Sequence, residues 1–395
     1  MSEIMYLRNA KLSGYKSIHN TDVEFNKDIN IIIGKNAVGK TNFLSFLNKT
    51  LVFDFKGLTN FESILTFESK VAIKISAKRN IEMKNIIENF NIVDVNSKIR
   101  IGNKTIKLRN EDKYSILLEN NIKYNSTFIC HGIPKKLPII STPLDFKFEI
   151  EKLSIDILDV YSNEDSPFFL RTIALELLFN SMQIKALDED LIKNQYNALF
   201  EKFYEINSVL KKYSPIQEIR FSDNYNVFFN DSNEITISNL FIEYKIDGQW
   251  LSFANLSDGT KRLFFIISEI FDSYNSLERS FVFSGLIVGR QDVCRIILLE
   301  EPELGIHPHQ FHKLMEFIKL ESKSKQIIIT THSPQALDSL SENELDRIIL
   351  AYTSANNSTK GTQFRRLNEN ELHKAKEYID ENFLSDYWLY SDLEK

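Results

Sequence analysis

The sequence predicts an α/β fold in which helices flank a parallel sheet. A mixed β lobe accompanies that sheet, and a largely helical insert interrupts it. Three observations carry the prediction. The apolar run Ile31-Ile32-Ile33 passes through a glycine turn into a helical stretch. Two further apolar runs, Ile296-Ile297-Leu298-Leu299 and Ile327-Ile328-Ile329, each end in a cluster of polar residues. From residue 257 onward, helical and strand patterns alternate, as in sheets joined by helical crossovers.

Along the chain, residues 4–33 read as strands and Thr41 to about Leu51 as a helix. Residues 62–150 are rich in strands. Val71-Ala72-Ile73-Lys74-Ile75 and Phe146-Lys147-Phe148-Glu149-Ile150 alternate apolar with polar, the period of a strand with one face buried. Residues 168–212 carry a helical pattern without Gly or Pro. Residues 216–253 return to strands, with Asp247-Gly248 as a hairpin turn. The expected organisation is an N-terminal lobe over 1–150, a helical insert over 151–215 and a C-terminal lobe over 216–395.

Composition narrows the class. Hydrophobic residues are 43% and charged residues 26%, ordinary for a globular protein. No apolar run reaches the roughly 18 residues of a membrane helix, so no membrane contact is expected. Glu3, Arg8, Lys11 and Lys16 interrupt the opening segment, unlike a secretory signal, and a cytoplasmic setting is expected. Cys130 and Cys294 are too few for a disulfide framework or a zinc site. The net charge of −6 gives no global signal for nucleic acid, although Lys78-Arg79, Lys135-Lys136 and Lys211-Lys212 form small basic clusters.

Gly34-Lys35-Asn36-Ala37-Val38-Gly39-Lys40-Thr41 fits G-x-x-x-x-G-K-[ST] between a strand and a helix. Glycines let backbone N–H groups turn toward phosphate, and the helix N-terminus adds favourable partial charge. Lys40 is the candidate contact to the outer phosphates of ATP, and Thr41 the candidate ligand of Mg2+. The run ending at Leu299 leads into Glu300-Glu301-Pro302-Glu303. Ligands of parallel sheets collect at the C-terminal strand ends, so these acids are expected beside the phosphate loop. Neighbouring strand residues point opposite ways. Glu300 is therefore assigned to Mg2+, through water, and Glu301 to polarising the attacking water. Leu256-Ser257-Asp258-Gly259 opens another apolar helix, where Ser257 and Gly259 can form an anion site. His332, in Thr331-His332-Ser333 at a third strand end, is the candidate phosphate sensor.

Taken in order, the phosphate loop, L-S-D-G, E-E-P-E and T-H-S resemble the ABC ATPase superfamily. Details are similar to its RecF, SMC and OLD branch: Thr41-Asn42 after Lys40, Gly14-Tyr15-Lys16-Ser17 near the start, and Ile306-His307-Pro308 after the acids. The resemblance implies heads that dimerise around ATP, with Ser257 and Gly259 of one head meeting the γ-phosphate held by the other. It places Gly305 and His307 in the loop joining the two sites. His307, His309 and His312 are accordingly read as part of that loop, with Mg2+ as the expected metal. Two features depart from the pattern: residues 125–145 contain no glutamine for the usual lobe-linking loop, and Asp258 stands where transporters carry Gly.

SMC proteins need longer coiled coils than the span between Thr41 and Ser257 offers, and the tail after His332 shows no strand-borne D-x-D of a Toprim nuclease. The chain therefore looks like an OLD-like ATPase without a Toprim domain, similar to the ATPase subunits of PARIS- or Septu-type anti-phage systems. That likeness implies a separate effector protein, a nuclease or toxin. The alternative is a RecF-like ATPase that contacts DNA.

Overall fold

A computed structural model describes residues 5–52, 54–55, 57–68, 73–79, 95–101, 103–108, 128–133, 144–149, 204–222, 226–230, 234–272, 294–354, 360–381 and 383–391. Two compact units divide the chain: residues 1–135, 287–303 and 318–395 form the first, and residues 136–286 and 304–317 the second.

The first unit holds two six-stranded sheets. One is antiparallel, in the order β2 (Thr21–Glu24), β1 (Tyr6–Ser13), β4 (Phe61–Glu68), β5 (Ile73–Arg79), β6 (Asn96–Ile101), β7 (Lys104–Leu108). Its strands alternate as one-sided burial requires, and in β4 Phe61, Ser63, Leu65 and Phe67 point inward. The other runs β18 (Gly361–Arg365), β17 (Ile348–Ser354), β3 (Ile29–Ile33), β16 (Gln326–Thr331), β15 (Cys294–Glu300), β8 (Phe128–Ile133). Its pairings are parallel except for the edge strand β18. Every residue of β3 and β16 is buried, as expected of strands covered on both faces.

One apolar cluster links both sheets to the helix Lys40–Leu51. It includes Phe43, Phe46 and Leu47 of the helix, Leu7, Leu12 and Leu65 of the antiparallel sheet, and Ile32, Leu298 and Ile328 of the parallel one. The helix that follows the phosphate loop is thereby held by its whole apolar face.

The exposed face of the antiparallel sheet is basic along β5–β7, where Lys74, Lys78, Lys98, Arg100 and Lys107 are all exposed. The register sets Lys74 opposite Arg100 and Lys98 opposite Lys107. Like charges directly across a strand pair oppose folding.

Within the second unit, residues 204–213 are helical, and two three-stranded sheets run β10 (Glu218–Phe221), β13 (Ile242–Ile246), β14 (Gln249–Ser252) and β11 (Asn226–Asn230), β12 (Glu234–Leu240), β9 (Leu144–Glu149). The hairpin between β13 and β14 turns on Asp247 and Gly248, with φ of 49° and 79°. Both central residues are left-handed, the turn whose twist suits a two-residue hairpin. The part of the expected helical insert spanning residues 151–203 lies outside the described residues. Among the described residues of the chain no helix is long and apolar enough to cross a membrane.

In the first unit, Glu344 closes a capping box with Ser341, accepting from its Oγ at 2.6 Å and its N–H at 2.9 Å, and takes Lys319 Nζ at 2.5 Å. Burial pushes this carboxyl up, but Lys319 and Ser341 outweigh burial and hold it at about 2. A depressed acid stabilises the fold above its unfolded pKa, about 4.3, and that contribution disappears as pH falls toward its folded value. The stability advantage of wild type over Glu344→Gln, read from urea unfolding, is expected to be full above about pH 5 and to vanish near pH 2.

Candidate functional site

Strand β3 delivers the chain to Gly34, and the loop closes at Gly39 before the helix begins at Lys40. Ala37 and Gly39 are left-handed, with φ of 65° and 101°. Left-handed residues alternating with right-handed ones turn successive N–H groups into one concavity, an anion nest. Sterics add to conformation. A Cβ on Gly39 would stand 2.0 Å from Thr362 Oγ1 and 2.5 Å from Ser17 Oγ, and one on Gly34 would stand 2.2 Å from the Ala351 carbonyl oxygen. Neither position admits a side chain without moving its neighbours.

Lys40 is 5% exposed, and its Nζ donates to the carbonyls of Gly34 at 2.6 Å and Lys35 at 2.9 Å. The ammonium thus lies within the curve of its own loop. Thr41 Oγ1 donates to Glu300 Oε1 at 2.6 Å, joining the phosphate loop to the end of β15. A hydroxyl and a carboxylate side by side are the hard oxygen donors that suit Mg2+, so the pair fits that ion.

The Gly14-Tyr15-Lys16-Ser17 motif braces the loop. Gly14 and Lys16 are left-handed, with φ of 94° and 49°, and the turn closes with Gly14 N–H donating to the Ile18 carbonyl at 2.8 Å. The Tyr15 ring packs 5.2 Å from that of Phe46 on the helix. Ser17 Oγ accepts from Asn42 Nδ2 at 3.0 Å and sits 2.8 Å from Thr362 Oγ1. Thr362, 1% exposed on β18, also donates to the Val38 carbonyl at 2.7 Å. Asn42 therefore reaches Ser17, and the backbone of Val38 is tied to the sheet edge. Ser17 stands in a sequence motif that does not reveal its role, and Thr362 stands in none. No local pattern marks Thr362, because its partners are more than 300 residues away in the chain.

On the acid side, Glu301 is 8% exposed and left-handed, with φ of 40°, and its N–H donates to the Thr330 carbonyl at 2.8 Å. A non-glycine residue held there costs on the order of 1–2 kcal/mol. His332 Nδ1 lies 3.9 Å from Glu301 Oε2 and 3.2 Å from Glu303 Oε1. The same Glu303 oxygen accepts from Thr331 Oγ1 at 2.7 Å and from the His332 N–H at 3.1 Å. Gly34, Lys35, Asn36, Ala37, Val38, Gly39, Lys40, Thr41, Asn42, Glu300, Glu301 and His332 all belong to the first unit.

Ser257 and Gly259 belong to the second unit. Ser257 caps the helix Asp258–Asp272: its Oγ accepts from the Thr260 N–H at 3.3 Å, and it is exposed. A Cβ on Gly259 would stand 2.5 Å from the Gly305 carbonyl oxygen, so this helix start packs against the backbone of the loop after Glu303. Of residues 125–145, the position of the usual lobe-linking loop, 125–127 and 134–143 lie outside the described residues.

This fold, with its phosphate loop, carboxylate strand and histidine strand, is that of an ABC-type ATPase head. The chain belongs to the family described as "AAA domain, putative AbiEii toxin, Type IV TA system", whose profile matches residues 29–338. Over 40 residues it is 45% identical to the DNA replication and repair protein RecF of Clostridium acetobutylicum, and 48% identical to that of Clostridium kluyveri. Each match covers 10% of this chain and 11% of the relative's length. Among solved structures, the Smc head bound to the C-winged helix domain of ScpA shares the fold. Its TM-score is 0.52 at 15% identity, over 93% of this chain and 99% of that one.

Thr362→Val keeps the volume of the side chain and removes the hydroxyl that holds Val38. Loss of such a buried bond is worth about 1–2 kcal/mol, so stability read from urea unfolding is expected to fall by about that amount with secondary structure unchanged.

Proposed function

We propose that the chain is an ATP-hydrolysing switch whose heads pair around nucleotide, acting as the sensor or scaffold subunit of an anti-phage system that controls a separate effector. The observation that carries the ATPase part is the Thr41–Glu300 hydrogen bond, which unites the phosphate loop and the carboxylate strand in one site. In this reading residues Gly34–Asn42 cradle the triphosphate, and Lys40 leaves its loop carbonyls for the outer phosphates. Thr41 and Glu300 hold Mg2+, which when bound neutralises phosphate charge. Glu301 polarises the attacking water, and His332 contacts the terminal phosphate. Ser257 and Gly259 of a second copy complete each site, because an exposed helix start presents the positive end of its dipole to an anion.

The defence role rests on the likeness of the motifs Glu300-Glu301-Pro302-Glu303 and Ile306-His307-Pro308 to OLD-like ATPases. In this reading the effector is a nuclease or toxin, the machinery is of the OLD-like kind found in PARIS and Septu systems, and it works in the cytoplasm. The insert, residues 151–215, is the proposed docking surface for the effector. Pull-down from the native host with the full chain and with that insert deleted tests this. Robust nuclease activity of the lone chain, abolished by a point mutation outside the ATP site, would count against it.

One observation favours the second reading, a RecF-like ATPase that touches DNA. The face carrying Lys74, Lys78, Lys98, Arg100 and Lys107 concentrates positive charge on a protein of net charge −6. Phosphate contacts make affinity fall steeply with salt. Duplex binding that weakens with salt, and that is lost in Lys98→Glu/Lys107→Glu, is the expected signature of this reading.

Three variants test the ATPase site. Lys40→Ala is expected to lose at least about a hundredfold in ATP affinity, since charge-assisted bonds to phosphate disappear. Glu301→Gln is expected to bind ATP and lose about a hundred- to ten-thousandfold in turnover, accumulating paired heads visible by size-exclusion chromatography. Ser257→Arg is expected to bind ATP without turnover. Mixed with Lys40→Ala chains it should regain activity, since each mixed pair can form one intact composite site. No rescue in mixed dimers shown to form would count against sites shared between heads.

A further inference from the structure

We propose that Glu303 is a positioning residue for His332: its carboxylate grips the Nδ1 edge of the imidazole and leaves the Nε2 edge to face the terminal phosphate. The proposal rests on the reading above, in which His332 meets that phosphate, and it adds a residue to which no role has been attached.

Local chemistry explains how an acid beyond the end of β15 comes back to the histidine. Glu301 takes a left-handed φ of 40°, and Pro302, which follows it, has a fixed φ and no N–H to extend the sheet. The chain leaves the strand there, and the carboxylate of Glu303 turns to the end of β16. One oxygen, Oε1, then receives the Thr331 hydroxyl at 2.7 Å and the His332 N–H at 3.1 Å, and stands 3.2 Å from His332 Nδ1. The same atom thus bonds the His332 backbone and stands against its ring nitrogen. The Glu301 carboxylate lies farther from that nitrogen, at 3.9 Å, outside hydrogen-bond reach. Two neighbouring acids thus differ in what they do. The nearer one stands against the ring, and the farther one lies beyond bonding distance of it.

Exposure sorts the pair in the same sense. The Glu303 side chain is 10% exposed and that of His332 38%. A buried carboxylate behind a half-open imidazole is the arrangement in which one ring nitrogen is committed to the protein and the other is presented outward. Which nitrogen of a histidine does the chemistry is set by the bond that the other one makes. With the Nδ1 edge turned to Glu303, Nε2 is the ring nitrogen that remains to meet the phosphate. A glutamine keeps the acceptor oxygen for Thr331, the His332 N–H and the ring nitrogen and removes only the charge, so a role confined to neutral bonding survives the substitution and an ionic hold on the ring does not.

Glu303→Gln therefore separates the two roles. It is expected to lower kcat about ten- to hundredfold, as loss of a group that orients a functional imidazole does elsewhere, with KM for ATP and melting temperature nearly unchanged. In a His332→Ala background the same substitution is expected to change kcat less than about twofold, because its effect runs through the ring. A second readout needs no turnover. In nucleotide-free protein the His332 Nδ1–H resonance, assigned by its loss in His332→Ala, is expected to move upfield in Glu303→Gln as the charged partner disappears. Wild-type kcat in Glu303→Gln, an equal loss in both backgrounds, or an unmoved resonance would each overturn the proposal. If the wild-type chain hydrolysed no ATP, the ATPase reading would fall while the resonance still decided whether Glu303 holds the ring.

Discussion

Ile33 of β3 lies opposite Thr331 of β16, and Thr330 of β16 lies opposite Glu300 of β15. In parallel strands all three chains then leave the sheet at the same edge within a residue of one another. Gly34, His332 and Glu301 are the first residues past that edge. The candidate site depends on this register, because a slip of one residue would turn every buried side chain of a strand to the other face. The register is secured by burial: β3 and β16 have no exposed residue, so a slipped strand would have to place other groups in the same apolar surroundings.

Around that edge the backbone departs from its preferred conformations. Ala37, Gly39 and Glu301 are left-handed, and so is Lys16 in the bracing turn. Such residues persist where surrounding contacts over-determine them. Here the contacts are identifiable. Thr362 and Ser17 hold the phosphate loop from the side of the edge strand, and the Thr330 carbonyl holds Glu301. The helix that starts at Lys40 is fixed in turn by Phe43, Phe46 and Leu47 in the shared core. Rigidity at the phosphate loop thus comes from packing behind it and hydrogen bonds beside it.

Much of this is written locally in the chain. The glycine-rich loop, the apolar strands running into Glu300 and Thr331, and the Asp247-Gly248 hairpin are short-range patterns. Each follows from sterics or periodicity within a few residues. Asp247 and Gly248 take the two positive φ values that such a turn needs, and the stretch from Ile29 to Leu51 folds as strand, loop and helix. The ends of elements shift by a residue or two. The helix begins at Lys40 instead of Thr41, and of the alternating stretch 71–75 the described residues, 73–75, are strand.

The sequence by itself determined the α/β class, the phosphate loop and the acids and histidine expected at strand ends, because each depends on neighbours in the chain. Only the tertiary structure decided what holds those groups. Thr362 comes to Ser17 and Val38 across the chain, and Gly34 lies against Ala351. It also decided that Glu303, and not only Glu301, stands at His332. The physical reason is that hydrogen-bond partners are set by distance in space. A threonine on an edge strand and the last acid of a motif look like ordinary surface residues until the sheet brings their partners within about 3 Å.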